Sequence, residues 1–413
     1  MSIFAFFSAG LLAAILFWAI YHLYILFAGI RSKPKHFYNN IDKLPKVSII
    51  VPAKDEGAVI ARCLEALLNM DYPRERMEII IVEGDSKDAT REICSEFSKK
   101  YHSIVRVLRE CASKGKPRAL NLALPHITGE IVGVFDADSV PERDALLKIA
   151  SYFQNQSVMA VQGRVTSLNE KRNMLTRVAA MEEKAWFQVL LRGRERLRLF
   201  MPLTGSCQFV RREVLEELGG WDESSLAEDV ELALRLVERG HSVRYAPDVC
   251  SWQETPSGLG DLVTQRTRWY RGYMEVALKY GKLLKKHSVK AVDAEISLIG
   301  PYMMVLCIIS YFNWALSLFF FPETGLVAGF ATLVITLTAV TLFSVGIALV
   351  FMERPVRLRN IVWVPFIYLY WSIEMVIAGW AFLQILFRRR RVWRKTVKRG
   401  FMTMSFTSDG ELC

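Results

Sequence analysis

The sequence predicts an α/β domain, built on a twisted and mostly parallel sheet, flanked by transmembrane and interfacial helices. Three observations carry this reading. A charge-free run of 28 residues opens the chain at residues 3–30. From about Lys46 to Pro256 short β-branched runs alternate with helical stretches, the pattern of a sheet with crossover helices. Three more apolar stretches of membrane-spanning length follow. Composition agrees: 413 residues that are 52% hydrophobic, with a mean hydropathy of +0.20, are too apolar for an ordinary soluble globule or a disordered chain. Lys+Arg 53 against Asp+Glu 42 leaves a net charge of +11, so part of the surface faces something anionic, with the membrane as first candidate and no nucleic acid implied. Seven cysteines, among them Cys63, Cys94, Cys207 and Cys250, form no C-x-x-C pair. This argues against a zinc ribbon or a disulfide framework and for a reducing compartment.

Taken in order, residues 1–30 exceed the ~20 needed to cross a bilayer and are too long for a signal-peptide core. Arg31, Lys33 and Lys35 follow, where a cleavage site would need small residues. The positive-inside rule makes those bases cytoplasmic, so this segment reads as a permanent anchor and the domain at 46–260 as cytoplasmic. Stretches 294–321, 326–352 and 361–387 fill a membrane region spanning 291–387. Strict alternation would then put the tail, 388–413, outside. Yet Arg388 to Arg399 carries eight Lys/Arg and no acid, a strong inside signal. Either the stretch 361–387, with Pro365 near its start and Glu374 in its middle, is re-entrant or partly interfacial, or the rule fails. Arg354, Arg357 and Arg359 are cytoplasmic on either reading.

Within the domain, residues 47–51, 78–82, 104–108 and 131–135 read as strands, and 58–68, 88–100 and 118–124 as helices. Ligands of such sheets bind at the carboxyl ends of the strands. Three acidic clusters stand there: Asp55-Glu56, Glu83 with Asp85, and Asp136 with Asp138. A lone D-x-D is weak evidence, because paired acids in loops are commonly solvated or capping. Here the pair ends a buried strand, where two carboxylates form a hard-oxygen site for Mg²⁺ or Mn²⁺. No G-x-x-x-x-G-K-[ST] loop and no strand-borne G-x-G-x-x-G supplies a phosphate cradle, so metal held by the Asp pair must do that work.

The order of motifs is more specific than any one of them. Val47-Ser-Ile-Ile-Val-Pro52 with Asp55-Glu56 comes first, then Ile80-Ile-Val-Glu-Gly-Asp-Ser-Lys-Asp88, Gly115-Lys116 through Asn121, Asp136-Ala-Asp138, Ala227-Glu-Asp229 and Gln265-Arg-Thr-Arg-Trp269. This order resembles the membrane-integrated family 2 glycosyltransferases of the cellulose, chitin and hyaluronan synthase type, over about Val47 to Tyr273 and the flanking helices. The resemblance implies a Rossmann-like GT-A domain that transfers a sugar, with inversion, from a nucleotide diphosphate sugar, UDP-linked in the first instance. It implies Asp136 and Asp138 as metal ligands, Lys116 as a diphosphate contact, and Asp55 and Glu56 beside the nucleoside. Glu56 equally suits the cap of the next helix. The second motif departs from the family's V-D-D-G-S form, so the acid for the base comes from Glu83 or from Asp85. Asp88 reads first as a helix cap.

Asp229 matches the family's catalytic base, because an attacking hydroxyl must lose its proton as the new bond forms. The bland alternative is N-terminal capping of the helix over 230–238, and both can hold. Gln265, Arg268 and Trp269 fall at i, i+3 and i+4, on one helix face in the region 261–290. In the family this face roofs the site, which implies Arg268 on the leaving diphosphate and Gln265 and Trp269 on the acceptor; the alternative is an interfacial Arg/Trp anchor. Residues 175–200, apolar at near-helical spacing and then carrying Arg192, Arg194, Arg196 and Arg198, read as a basic amphipathic helix on the cytoplasmic leaflet. Gly205, Ser206 and Cys207 resemble the family's loop at the acceptor terminus, although a free cysteine is commonly an inert buried thiol. The acceptor is a glycan or a lipid-linked glycan, with processive polymer synthesis and single transfer both open. A non-catalytic sensor would have lost the base or the metal pair, and both are present.

Overall fold

The computed structural model describes residues 3–32, 44–281, 288–320, 329, 332–340, 343, 346, 358–391 and 395–402. Lys33, Lys35, Arg354, Arg357 and most of the apolar stretch 326–352 lie outside the described residues. After the membrane helix α1 (Ile3–Ile30), the domain opens with β1 (Val47–Ala53), α2 (Ile60–Leu68), β2 (Met77–Glu83), α3 (Thr90–Lys100), β3 (Val105–Arg109), α4 (Lys116–Ala123) and β4 (Ile131–Val134). β1 pairs in parallel with β2 and β4, and β2 with β3. β1 and β2 read as near-continuous apolar runs because both their faces are covered, and Ile49, Ile50, Ile79 and Ile80 are fully buried.

The second half makes the sheet mixed, while four of its seven strand pairings are parallel, in keeping with the expectation of a mostly parallel one. β5 (Val140–Pro141), α5 (Ala145–Phe153), β6 (Val158–Ser167), α6 (Met174–Ala185), α7 (Leu191–Leu197), β7 (Gln208–Arg211), α8 (Arg212–Glu217), α9 (Glu228–Glu238) and β8 (Ser242–Gln253) follow. The eight strands lie in the order β3-β2-β1-β4-β7-β6-β8-β5. β7 is antiparallel to β4 and β6, and β5 to β8. The carboxyl ends of β1, β2 and β4 share one edge of the sheet, so residues 54–56, 84 and 136–138 are neighbours there.

Beyond the sheet, α10 (Leu259–Tyr280), α11 (Val289–Leu298), α12 (Gly300–Phe320) and α13 (Val364–Leu386) follow, with a further helical segment over 332–340. Phe6–Ile30 and Ile361–Leu386 are each long and apolar enough to cross a membrane, and Val289–Leu298 with Gly300–Leu316 qualifies only as a pair bent by 48°. α1 meets the domain where a Cβ on Gly193 would lie 2.1 Å from the Ile25 carbonyl oxygen, so only glycine lets the backbones approach. Beside this crossing, Tyr21 Oη donates to Asp293 Oδ1 (2.6 Å), and Arg194 donates to Asp293 Oδ2 (2.8 Å) and to Tyr21 Oη (2.7 Å).

That network corrects the reading of 175–200 at one residue. The segment is helical, as expected, running from α6 through a π-helical turn over Trp186–Leu190 into α7, but Arg194 is turned inward and buried. Its partner Asp293 is 99 residues away, beyond the reach of local pattern. α13 lies along the domain. Arg177 sits over the Trp363 ring (5.9 Å), Ile367 and Tyr370 pack with Val178 and Met181 of α6, and Arg266 Nε of α10 is 2.9 Å from Glu374 Oε1. Past its end, Arg271 donates to the Arg389 carbonyl at 2.6 Å. Both ends of α13 therefore touch the catalytic side, and the acid that interrupts its apolar run meets an arginine of the domain.

Candidate active site

A cavity of about 750 Å³ opens over the carboxyl edge of the sheet and is roofed by α10. Lys54 and Glu56 enter it from the end of β1, Gly84 from β2, Glu110 from β3, Lys116 from the start of α4, and Asp136 and Asp138 from β4. Lys116 Nζ donates to Asp136 Oδ1 (2.5 Å) and to the Gly205 carbonyl (2.7 Å), and stands 4.0 Å from Glu228. It is therefore no solvated loop lysine; its surrounding carboxylates hold its pKa up against burial. Gly205 adopts φ +81°, and a Cβ there would meet Asp229 Oδ2 at 3.0 Å. Glycine thus lets this loop close over the Asp229 carboxylate.

Asp229 forms the cavity wall one residue after the first residue of α9, and its Oδ1 accepts the Val230 N–H at 2.8 Å. The N-cap residue Ala227 has no capping side chain, and Asp229 both satisfies this first-turn N–H and faces the cavity. Burial first, and then the neighbouring Glu228, push its pKa up to about 7, while Lys116 pulls the other way. A carboxylate with that affinity for a proton suits general base work near neutrality. Gln265, Arg268 and Trp269 all line the cavity from one face of α10, as their spacing predicts. Arg266, which also lines the cavity, places its guanidinium 4.5 Å from the centre of the Trp269 ring and pairs with Glu182 (2.6 Å) as well as Glu374. A buried ionic cluster thus holds the indole in place.

Other expected residues are near the cavity but not on its lining. Glu83 is fully buried; it accepts the Ser86 N–H (2.6 Å) and Arg91 Nε (3.2 Å), closing the turn after β2. Asp85 points outward to Arg91 (2.9 Å), and Asp55 accepts the Lys87 N–H (2.7 Å). Asp88 caps α3, accepting from Thr90 N–H (3.1 Å) and Gly57 N–H (2.9 Å). Ser206 lies beneath Asp136, whose N–H it accepts at 3.2 Å, and Cys207 is a buried thiol with its pKa pushed up by burial. Glu56 faces the cavity and does not cap α2; its pKa is raised to about 7 by burial, opposed by Lys395.

Sequence reasoning missed four participants. Glu110 lines the cavity where an acid from β2 was expected. Lys395 Nζ is 3.0 Å from Glu56 Oε1 and donates to the carbonyls of Lys54 (2.8 Å) and Asp55. Lys398 Nζ is 2.7 Å from Asp138 Oδ2 and donates to the Glu254 carbonyl (2.6 Å). The Glu254 carboxylate accepts the N–H groups of Arg399 (3.1 Å) and Gly400 (2.9 Å), so it fixes the tail in this position. The basic run had been read only as a membrane signal. Among the described residues no group of three or more His, Cys, Asp or Glu could hold a metal. Asp136 and Asp138 together offer two carboxylates on one turn, which suits a cation that takes its remaining ligands from phosphate and water.

Residues 45–272 match the model described as "Glycosyltransferase like family 2". The chain belongs to glycosyltransferase family 2. This family 2 glycosyltransferase is 32% identical over 386 residues to the β-monoglucosyldiacylglycerol synthase of a Nostoc species, covering 89% of this chain and 80% of that protein. It is 25% identical over 427 residues to the poly-β-1,6-N-acetyl-D-glucosamine synthase of Staphylococcus epidermidis, covering 96% of each. A Bacillus subtilis protein named as a glycosyltransferase, YdaM, is 35% identical over 271 residues, and the match spans 64% of its length, just under two thirds. The mannosyltransferase PcManGT of Pyrobaculum calidifontis, solved with GDP-mannose and Mn²⁺, superposes with a TM-score of 0.61 at 20% identity over 94% of this chain and 100% of that one. It shares the GT-A-like fold.

Proposed function

We propose that the protein is an inverting, metal-dependent glycosyltransferase, moving a hexosyl or N-acetylhexosaminyl group from a nucleoside diphosphate sugar, UDP-linked, to a glycan or lipid-linked acceptor at the cytoplasmic membrane face. The observation that carries this is Asp229, proton-avid and set in the same cavity as the Asp136/Asp138 pair and the α10 stripe. The acceptor hydroxyl oxygen bonds to the anomeric carbon from the face opposite the diphosphate, as the bond from that carbon to the phosphate oxygen breaks. The electron pair leaves with the nucleoside diphosphate and the hydroxyl proton goes to Asp229, giving a β-glycosidic bond. A divalent cation on Asp136 and Asp138 would supply charge neutralisation to the leaving diphosphate. Lys116 and Arg268 add cationic groups on the same path, and the planar fork of Arg268 suits two phosphate oxygens. Glu110 and Lys54 stand on the β1–β3 side, where the nucleoside of the donor would lie.

The test uses purified full-length protein with labelled UDP-glucose, UDP-N-acetylglucosamine and GDP-mannose, with and without Mn²⁺. We expect transfer from one donor, lost in EDTA and in Asp138→Ala. Full activity in EDTA overturns metal dependence; neither binding nor turnover of any donor overturns the assignment. The match to the polysaccharide synthase along 96% of both chains favours a second reading, processive polymer synthesis, which long labelled products would show.

A further inference from the structure

The arginine row of α7 divides between two neighbours. Arg194 turns inward to Asp293, whereas Arg192, Arg196 and Arg198 line a second cavity, of about 790 Å³. Ser157 just before β6 and Ser242 at the start of β8 set this cavity at the amino ends of those strands, and it shares no lining residue with the catalytic cavity at the carboxyl edge of the sheet. Among the described residues, Arg244 of β8, Lys290 of α11 and Arg31, directly after α1, bring the cations on its walls to six, against a single acid, Glu195. That acid is already committed. Its Oε1 accepts Arg244 Nε (2.5 Å) and its Oε2 accepts the Tyr245 N–H (3.0 Å). Among the described residues the other five cations form no ion pair, and Arg192 Nε is buried without a hydrogen-bond partner.

Five like charges facing one concavity repel one another unless an anion joins them. Four of the five are arginines, whose planar fork spans two oxygens of one phosphate. A lone carboxylate would leave most of this charge unanswered, whereas a terminal phosphate offers three acceptor oxygens to donors on several walls. The rest of the lining is neutral, with serine and tyrosine hydroxyls that can donate as well and a short apolar strip. We propose that this second cavity is a phosphate-binding site separate from the catalytic one, taking the terminal phosphate of a lipid headgroup or a dissolved phosphate. Arg31 is the first charged residue after a helix long and apolar enough to cross a membrane, which fits the lipid source. Because the walls come from α1, α7, β8 and α11, an occupant would tie the end of the membrane anchor to the sheet.

The experiment uses the full chain in neutral detergent with EDTA. One arm titrates inorganic phosphate by calorimetry; the other counts retained dioleoylphosphatidic acid by native mass spectrometry, with dioleoylglycerol as the phosphate-free control. The expected result is a single site in the wild type and in Lys116→Gln, with affinity about tenfold lower in Arg192→Gln/Arg196→Gln. Retention of the lipid without binding of inorganic phosphate marks the headgroup as the source, the converse marks a dissolved phosphate, and either upholds the site. Binding of neither, or equal binding by the double variant, overturns it. Loss in Lys116→Gln alone would put the phosphate in the catalytic cavity, and dioleoylglycerol retained as well as phosphatidic acid would remove the need for a phosphate; both overturn the proposal. Should the double variant not fold, Arg198→Gln/Lys290→Gln, which removes an exposed and a half-buried cation of the same lining, takes its place with the same expectation.

Discussion

Asp229 and Trp269 fail differently if their roles are as assigned. Asp229→Asn keeps shape and hydrogen bonding and removes the base, so turnover should fall roughly 10²–10⁴-fold with nucleotide affinity retained; equal loss of affinity would make Asp229 structural. With its carboxyl held near 7 by burial and Glu228, against Lys116 and Arg268, the wild-type rate should climb as pH rises through 7 and level off as Asp229 ionises. The sign for stability is opposite. The folded chain binds a proton here between the ordinary value of 3.8 and about 7, so this group's contribution is fully present below that window and fades as pH rises through it. The residual activity of Asp229→Asn should lack the rise near 7, which separates it from Glu56, raised to a similar value. Along the α10 stripe, Trp269→Ala should cut transfer and raise the acceptor requirement with nucleotide affinity near wild type. Arg268→Lys keeps charge and loses the fork, so it should slow departure of the diphosphate. Loss of nucleotide binding as severe as loss of transfer in Trp269→Ala would reduce the stripe to an anchor. Lys116 and Asp229 were picked out by the resemblance alone, while Asp136, Asp138 and this stripe were legible from a strand end and a helix face that local spacing defines. Glu110, Glu254, Lys395 and Lys398 were not, because their partners lie on other elements, in the tail's case more than a hundred residues away.

Elements followed the same division. The first four strands and three helices read correctly to within about two residues, since apolar runs and helical periods are local. The later strands β5 to β8 were not assigned from the sequence: β5 has only two residues, and β7 takes its place by antiparallel pairing with distant partners. Arg194 was misread because a row of arginines looks alike whether each faces outward or an aspartate; Arg196 and Arg198 of the same row are exposed. Arg194 therefore makes a direct test of how α1 is held. Arg194→Leu leaves Asp293 buried without its cation and should destabilise the detergent-solubilised protein by ~3–5 kcal/mol. The double substitution Arg194→Leu with Asp293→Leu should recover most of that loss, because removing both charges costs far less than stranding one. A melting temperature for Arg194→Leu equal to that of the wild type would mean the network contributes nothing to docking of α1.

At the scale of the molecule, the conflict between span counting and charge would resolve if α13 did not cross. α1 runs into the domain with its C-terminal end, Tyr21 reaching Asp293. α12 starts there, with Tyr302 Oη donating to the Met274 carbonyl at 3.1 Å. α13 would have to carry the tail to the far face if it crossed. Instead its beginning packs on α6, its middle pairs with Arg266, and residues 395–400 return to the active-site acids. The contacts of residues 395–400 set that part of the tail beside the acids of the domain, and an α13 that lay along the domain without crossing would keep the parity that the basic residues call for. Accessibility decides this. Cys111 is an exposed thiol of the catalytic domain, and Arg399, exposed on the tail, accepts a cysteine without touching the core. In the variant Cys111→Ser/Arg399→Cys, a membrane-impermeant maleimide should label Arg399→Cys in inverted vesicles and not in intact cells, in parallel with Cys111 in the wild type. Labelling of the two positions from opposite faces would show that α13 crosses the bilayer and that Lys398 does not reach Asp138.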